Sequence, residues 1–225
     1  MTANGTEPIL DHVVFAARSR DDAERALGET GLSVIAGRTM DGMGLSNVFI
    51  PLGSAMLEVH YPNGEPATAA GPPYAQIQRD ALAAHPDVAL LPVTWLVRFD
   101  DVERLREVSA ADGCSVDEIP ARGAVPEFLL GGFGPALTRP WLPALIHWPQ
   151  PPGERLAART APHTRRPSGE LTLDVSGPAE EITAWCGGPP RGVVVHRGSA
   201  GPLRVHVGLA DGGIAILGQP TGNRS

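Results

Sequence analysis

The stretch Gly44-Leu45-Ser46-Asn47-Val48-Phe49-Ile50-Pro51-Leu52-Gly53-Ser54-Ala55-Met56-Leu57-Glu58-Val59-His60-Tyr61-Pro62 decides how this chain is read. It predicts two short apolar strands joined at Gly53-Ser54, a dipeptide suited to a tight hairpin. One acid, Glu58, stands between Leu57 and Val59. Strand side chains alternate in direction, so Met56, Glu58 and His60 share one face, and Leu57, Val59 and Tyr61 the other. A carboxylate in an apolar strand is costly to bury unless it is paired, hydrogen-bonded or bound to a metal. If Leu57 and Val59 face a core, Glu58 and His60 face water or the inside of a curved sheet.

Upstream, residues 9–17 (Ile-Leu-Asp-His-Val-Val-Phe-Ala-Ala) predict a first strand. Ser19 offers an N-cap, Asp21 and Asp22 favour the first helical turn, Ala23 and Leu27 give the apolar stripe, and Gly31 ends it. A short strand over 32–36 and a Gly- and Met-rich loop over 38–44 complete a β-α-β-β-β order over 8–62. Residues 63–87 read as a connector with one helix over 74–84. The same order then returns over 88–150. Its parts are a strand at 90–99, a helix from Asp100 or Asp101 through Val102, Leu105 and Val108 to Gly113, a short strand at 115–119, an irregular Gly-rich strand within 127–138, and a final strand at 142–148. A third, partial module over 169–218 has a strand at 171–175, a helix at 178–185, a strand at 193–196 and a hairpin of 203–209 with 214–217 around Asp211-Gly212-Gly213. Between the second and third modules, 151–168 is a Pro- and Arg-rich linker or surface strap. The last eight residues read as loose. A supersecondary order that recurs marks an internal repeat, and here it predicts an α+β fold of paired modules around a curved mixed sheet.

Composition narrows the function. The 25 Asp and Glu against 18 Lys and Arg leave a net charge of −7, so the chain lacks the basic footprint that nucleic acid or an anionic membrane requires. No segment approaches the roughly 20 apolar residues that span a bilayer. Residues 1–7 are polar and predict no secretory leader. Cys114 and Cys186 form no C-x-x-C pair and read as free thiols, which fits a reducing cytoplasm. No phosphate loop, Ser-His-Asp order or nucleotide fingerprint stands out.

The repeated order, with His12 in the first strand (Asp11-His12-Val13-Val14) and Glu58 in the fourth (Leu57-Glu58-Val59), resembles the vicinal oxygen chelate superfamily. More narrowly, those motifs together with Gly44-Leu45-Ser46-Asn47-Val48-Phe49-Ile50-Pro51-Leu52-Gly53 resemble the glyoxalase-like domain family. The resemblance covers most of residues 9–218. It implies an open barrel holding a divalent metal on one residue from the first and one from the fourth strand of each module. Carried over, the first module supplies His12 and Glu58. In the second module the fourth-strand position falls on His147, and the first-strand position falls near Thr94 or Trp95, neither a usual ligand. A second register places Leu145 where His147 would stand.

The resemblance therefore implies His12, Glu58 and His147 as metal ligands, with Fe(II), Mn(II), Zn(II) or Ni(II) as the divalent metal, and Glu58 as the catalytic carboxylate. Strand parity predicts that all three point into one cavity. Each also has a plain structural reading: His12 as a hydrogen-bonded strand histidine, Glu58 as a solvated or Arg-paired acid, His147 as a half-buried histidine. Asn47, His60 and Trp95 are candidates for holding substrate, with Trp95, Phe128, Phe133, Trp141 and Trp148 as apolar walls. The 40–44 loop is a candidate cover for the pocket mouth. Two functions follow: a metal-dependent lyase, isomerase or dioxygenase acting on a small molecule, or a metal-free protein that binds or sequesters an apolar small molecule in the same cup. A homodimer is compatible with either.

Overall fold

The computed structural model describes residues 7–68 and 74–218. The chain's end, read as loose, lies almost wholly outside the described residues. The first module runs β1 (Ile9–Ala16), α1 (Arg20–Gly28), β2 (Ile35–Met40), β3 (Leu45–Pro51) and β4 (Met56–Pro62). Helix α2 (Tyr74–Ala84) follows in the connector. The second module runs β5 (Leu91–Arg98), α3 (Val102–Ala111), β6 (Val116–Ile119), β7 (Phe128–Gly131), α4 (Phe133–Thr138) and β8 (Ala144–His147). The third has β9 (Pro167–Ser176), α5 (Ala179–Trp185), β10 (Val193–His196), β11 (Gly201–Leu209) and β12 (Ile214–Gly218).

The first two modules share one mixed eight-stranded sheet in the order β2-β3-β4-β1-β5-β8-β7-β6. In each module the first and fourth strands lie parallel, and β1 and β5 join the modules antiparallel. The sheet curls into a half-barrel. The remaining four strands form a second sheet in the order β10-β9-β11-β12. The eight-stranded sheet is the vicinal oxygen chelate fold; the second sheet does not repeat its pairing, since β9 lies parallel to β10 and antiparallel to β11.

Local chemistry places the helices where the residues predict them. Ser19 accepts a hydrogen bond from Asp22 N, and Asp101 from Glu103 N, so both module helices begin on side-chain caps. Burial then sorts the sheet's two faces. Val13, Phe15, Leu57, Val59, Trp95, Val97 and Leu145 pack on the convex side with Leu27 of α1 and Leu105 of α3. Leu173, Val175, Val205 and Val207 of the second sheet join that same core. On the concave side Val14, Phe49, Met56, Leu96, Ile146 and Trp148 form a separate apolar lining.

Three expectations shift. The second strand is displaced from 32–36 to β2, because Thr39 and Met40 pair with Ser46 and Leu45 and draw the expected loop into the sheet. The Gly-rich 127–138 region divides into β7 and α4, the turn made at Gly132 with φ of 65°. β9 begins at Pro167, within the expected linker, where it pairs with Leu209 of β11. The stretch before it is a packed strap. Gly53 donates its backbone N–H to Ala157 O, Arg155 pairs with Asp100 at 3.1 Å, and Leu156 is buried against the concave lining.

Candidate active site

The half-barrel encloses a cup of about 310 Å³. Most of its wall is apolar: Val14, Met40, Phe49, Met56, Leu96, Phe128, Ile146, Trp148 and Leu156 among others. One patch is not. His12, Asn47, Glu58 and His60 come together from β1, β3 and β4, with Thr94 beside them on β5. His12, Glu58 and His60 face inward because Val13, Leu57 and Val59 fill the convex core; for His60 the residues alone left water and the inside of a curved sheet open.

Glu58 is the hub. Its Oε1 accepts a hydrogen bond from Asn47 Nδ2 at 2.6 Å and meets His60 Nε2 at 2.7 Å. Its Oε2 lies 3.4 Å from His12 Nε2. Asn47 is held in turn, because its Oδ1 accepts the Arg38 backbone N–H at 2.6 Å. His60 is held from behind, its Nδ1 2.9 Å from Gln78 Nε2 of α2, with the Tyr74 ring edge-on at 5.5 Å between centroids. With Gln78 donating to Nδ1, the Nε2–H of His60 is left to donate to Glu58.

His12 is oriented by its neighbour. Its Nδ1 lies 2.7 Å from Asp11 Oδ2. Adjacent strand residues ordinarily face opposite ways, but the pairing of β1 with β5 skips Asp11, a bulge between Leu10 and His12. The carboxylate is thereby turned beside its neighbour's ring. It also accepts from Trp148 Nε1 at 3.1 and 3.2 Å, and pairs with Arg98 at 3.3 Å.

These contacts set the charges. Burial alone would lower the His12 pKa, yet the Asp11 and Glu58 carboxylates outweigh it and raise it to about 9. Burial alone would raise Glu58, but the His60 and His12 rings on its two oxygens hold it well below the ordinary carboxylate range. Asp11 is likewise lowered: burial opposes this, and His12, Arg98 and Trp148 prevail. At neutral pH the cup floor thus carries an Asp11 carboxylate, a His12 imidazolium and a Glu58 carboxylate in a row.

Two expected site residues stand elsewhere. His147 points away from the cup, its Nδ1 2.9 Å from Phe99 O, while its neighbours Ile146 and Trp148 face inward. Both faces of β8 are apolar, Leu145 on the convex side and Ala144 and Ile146 on the concave, so its one polar residue does not mark the cup. Trp95 is fully buried in the convex core, with Thr94 and Leu96 in the cup instead. Of the loop over 40–44, Met40 and Met43 do line the cup. Arg38 and Gln78 were not singled out in the sequence. Gln78 had no signal, being one polar residue on a helix 18 positions from its partner.

A family model described as a glyoxalase-like domain matches residues 10–185. The chain belongs to the glyoxalase-like domain family, within the vicinal oxygen chelate superfamily. No curated protein matches it. Among solved structures, this glyoxalase-like chain is similar to methylmalonyl-CoA epimerase from Mycobacterium tuberculosis, with 15% identity over 65% of this chain and 91% of that one, and a TM-score of 0.43. It is similar to a hypothetical protein from Bacillus halodurans, with 15% identity over 64% and 96% of the two chains and a TM-score of 0.44. It is also similar to Streptomyces coelicolor methylmalonyl-CoA epimerase in complex with 2-nitronate-propionyl-CoA, with 16% identity over 63% and 98% and a TM-score of 0.43.

The superfamily implies a divalent metal, and the donor set of this cup does not suit one. His12 Nε2 and Glu58 Oε2 converge, but His60 is engaged on the other carboxylate oxygen and through Gln78. The facing strands β5 and β8 present Thr94, Leu96 and Ile146. Among the described residues no three His, Cys, Asp or Glu side chains are grouped to hold a metal ion. Two protein ligands fall short of the three or four that catalytic metal centres of this kind use.

Proposed function

We propose that this glyoxalase-like protein is a metal-independent enzyme of isomerase or lyase type, which moves a proton on a small, largely apolar carbonyl compound bound in the cup. The observation that carries this reading is the ion pair of His12 and Glu58 at the floor of an apolar cavity, with a gap of 3.4 Å between Nε2 and Oε2. That separation is too long for a strong charge-assisted hydrogen bond. A carbonyl oxygen that enters the cup beside this pair takes the His12 Nε2–H for itself. Glu58 then loses one of its two imidazole contacts and becomes a better base. Its Oε2 accepts a proton from the carbon next to the carbonyl. The electron pair of that C–H bond moves onto the carbonyl oxygen, where the imidazolium stabilises the enolate. Return of the proton from the Glu58 carboxyl to a different face or carbon completes an isomerisation. Asp11 holds the His12 ring in place, and Asn47 and His60 hold the carboxylate.

A pure sequestering role is the second reading, favoured by the largely apolar wall. Burying three charged groups is costly, and a cup that only holds apolar molecules has no use for them. Deuterium uptake separates the two readings. Small aryl and alkyl ketones and 2-oxo acids are incubated with the protein in D2O and followed by NMR. Protein-catalysed exchange at the carbon next to the carbonyl, lost in Glu58→Gln, is the expected result. Tight binding without exchange, equal in wild type and Glu58→Gln, would leave only the sequestering role.

A further inference from the structure

The cup holds a second kind of polar group besides the His12–Glu58 floor. Arg38 of β2 lines it, and its Nε is shut off from solvent without a hydrogen-bond partner. Three other arginines around the half-barrel are matched by acids. Arg98 pairs with Asp11 and Asp100, Arg155 with Asp100, and Arg122 with Asp41. Among the described residues no acid pairs with Arg38.

Its inward direction is built into β2. The pairing of β2 with β3 slips between Ala36 and Thr39, a bulge that takes in Gly37 and Arg38. Ile35 packs with the concave lining and Ala36 is exposed, so plain alternation would turn Arg38 outward. The bulge resets the parity and brings Arg38 and Met40 into the cup. Asn47 Oδ1 accepts the Arg38 N–H and clamps the bulge, and Gly37 has no side chain to collide with that amide. On β5, Thr94 Oγ1 is a second buried polar atom without a partner in the same cup.

A half-buried guanidinium in an apolar wall, aimed by a bulge and unmatched by an acid, lacks its counter-charge. The geometry points to a substrate that brings one: an apolar carbonyl compound bearing a carboxylate, the carboxylate seated on Arg38. This rests on the reading of the cup as the substrate site and names the substrate's class. Asp117 of β6 is the other acid lining the cup besides Glu58, and among the described residues it forms no ion pair with Arg38.

The test uses a matched pair, 4-phenyl-2-oxobutanoate and its uncharged amide, titrated calorimetrically into the full-length protein. The acid is expected to bind at least about tenfold tighter than the amide. Arg38→Met is expected to erase that preference by weakening the acid alone, and Arg38→Lys to retain part of it. Melting curves of both variants establish that they are folded. Equal affinity for acid and amide, binding of neither, or an unchanged preference in folded Arg38→Met would overturn the assignment. Preference for the acid without deuterium exchange would keep the Arg38 assignment and defeat only the proton-transfer reading. Exchange without the preference would do the reverse.

Discussion

Glu58 meets three side chains in the cup, and the identity of each is consequential. Replacing it with Gln keeps the volume and one acceptor oxygen but removes the base. Deuterium exchange is expected to fall by about 10² to 10⁴ with the fold retained, as read by NMR and circular dichroism. His12→Gln removes the imidazolium and is expected to lower exchange as strongly. His12 also leaves a pH signature. Its pKa rises from the ordinary 6.5 to about 9 in the folded protein, so its stabilising effect is complete below pH 6.5 and is lost as pH climbs toward 9. The melting temperature of the wild type should therefore drop by several degrees between pH 6.5 and pH 9. That decline should shrink markedly in His12→Gln. Asp11 and Glu58 act in the opposite sense: their lowered pKa values stabilise above the ordinary carboxylate range, and this is lost only on acidification. Activity should likewise hold over a broad range and fall near pH 9, as His12 loses its proton.

Single strands place these groups through irregularities that residue patterns do not announce. The bulge at Asp11 turns a carboxylate onto His12, and the bulge at Gly37 and Arg38 turns a guanidinium into the cup. A methyl group at Gly37 would run into the side-chain and backbone oxygens of Asn47. Asn47 cannot easily give way, being bonded on one side to Arg38 N and on the other to Glu58. Gly37→Ala is expected to cost roughly 1–3 kcal/mol in denaturant unfolding and to weaken both the acid preference and the exchange rate. A substitution that left stability and both activities untouched would show that the bulge has no such role. The strap offers a parallel case. Leu156 is buried where the strap meets the cup, so Leu156→Ala should cost about 2–5 kcal/mol.

Across the whole molecule, the convex core is continuous from the first module to the third. Leu10, Val13 and Trp95 share it with Leu173, Val175, Trp185 and Val205. A chain ending at Arg166 would expose that surface, and is expected to be insoluble or to lack a cooperative melting transition. A stable, soluble fragment of that length would show that the third module is dispensable. The half-barrel's donor set leads to a further expectation. Saturating Mn(II), Zn(II) or Ni(II) should leave the melting temperature within about 2 °C, since tight binding to the native state alone would raise it well beyond that. Stoichiometric uptake lost in both His12→Ala and Glu58→Ala would reverse the conclusion about metal.

The strand repeat, the capped helices and the shared face of Glu58 and His60 were determined by the sequence alone. They rest on local rules: alternation along a strand, capping at a helix start, turn residues between them. The same rules misled at His147 and Trp95, since they assume one apolar face per strand, and the second module's strands are apolar on both. Tertiary structure alone decided which of those faces is the cup, that Gln78 backs His60 across 18 residues, and that bulges aim Asp11 and Arg38. The cup face and the Gln78 contact depend on how helices and the second sheet pack on the half-barrel, and the bulges depend on the register between strands. Register is a property of the pair, so no single strand's residues contain it.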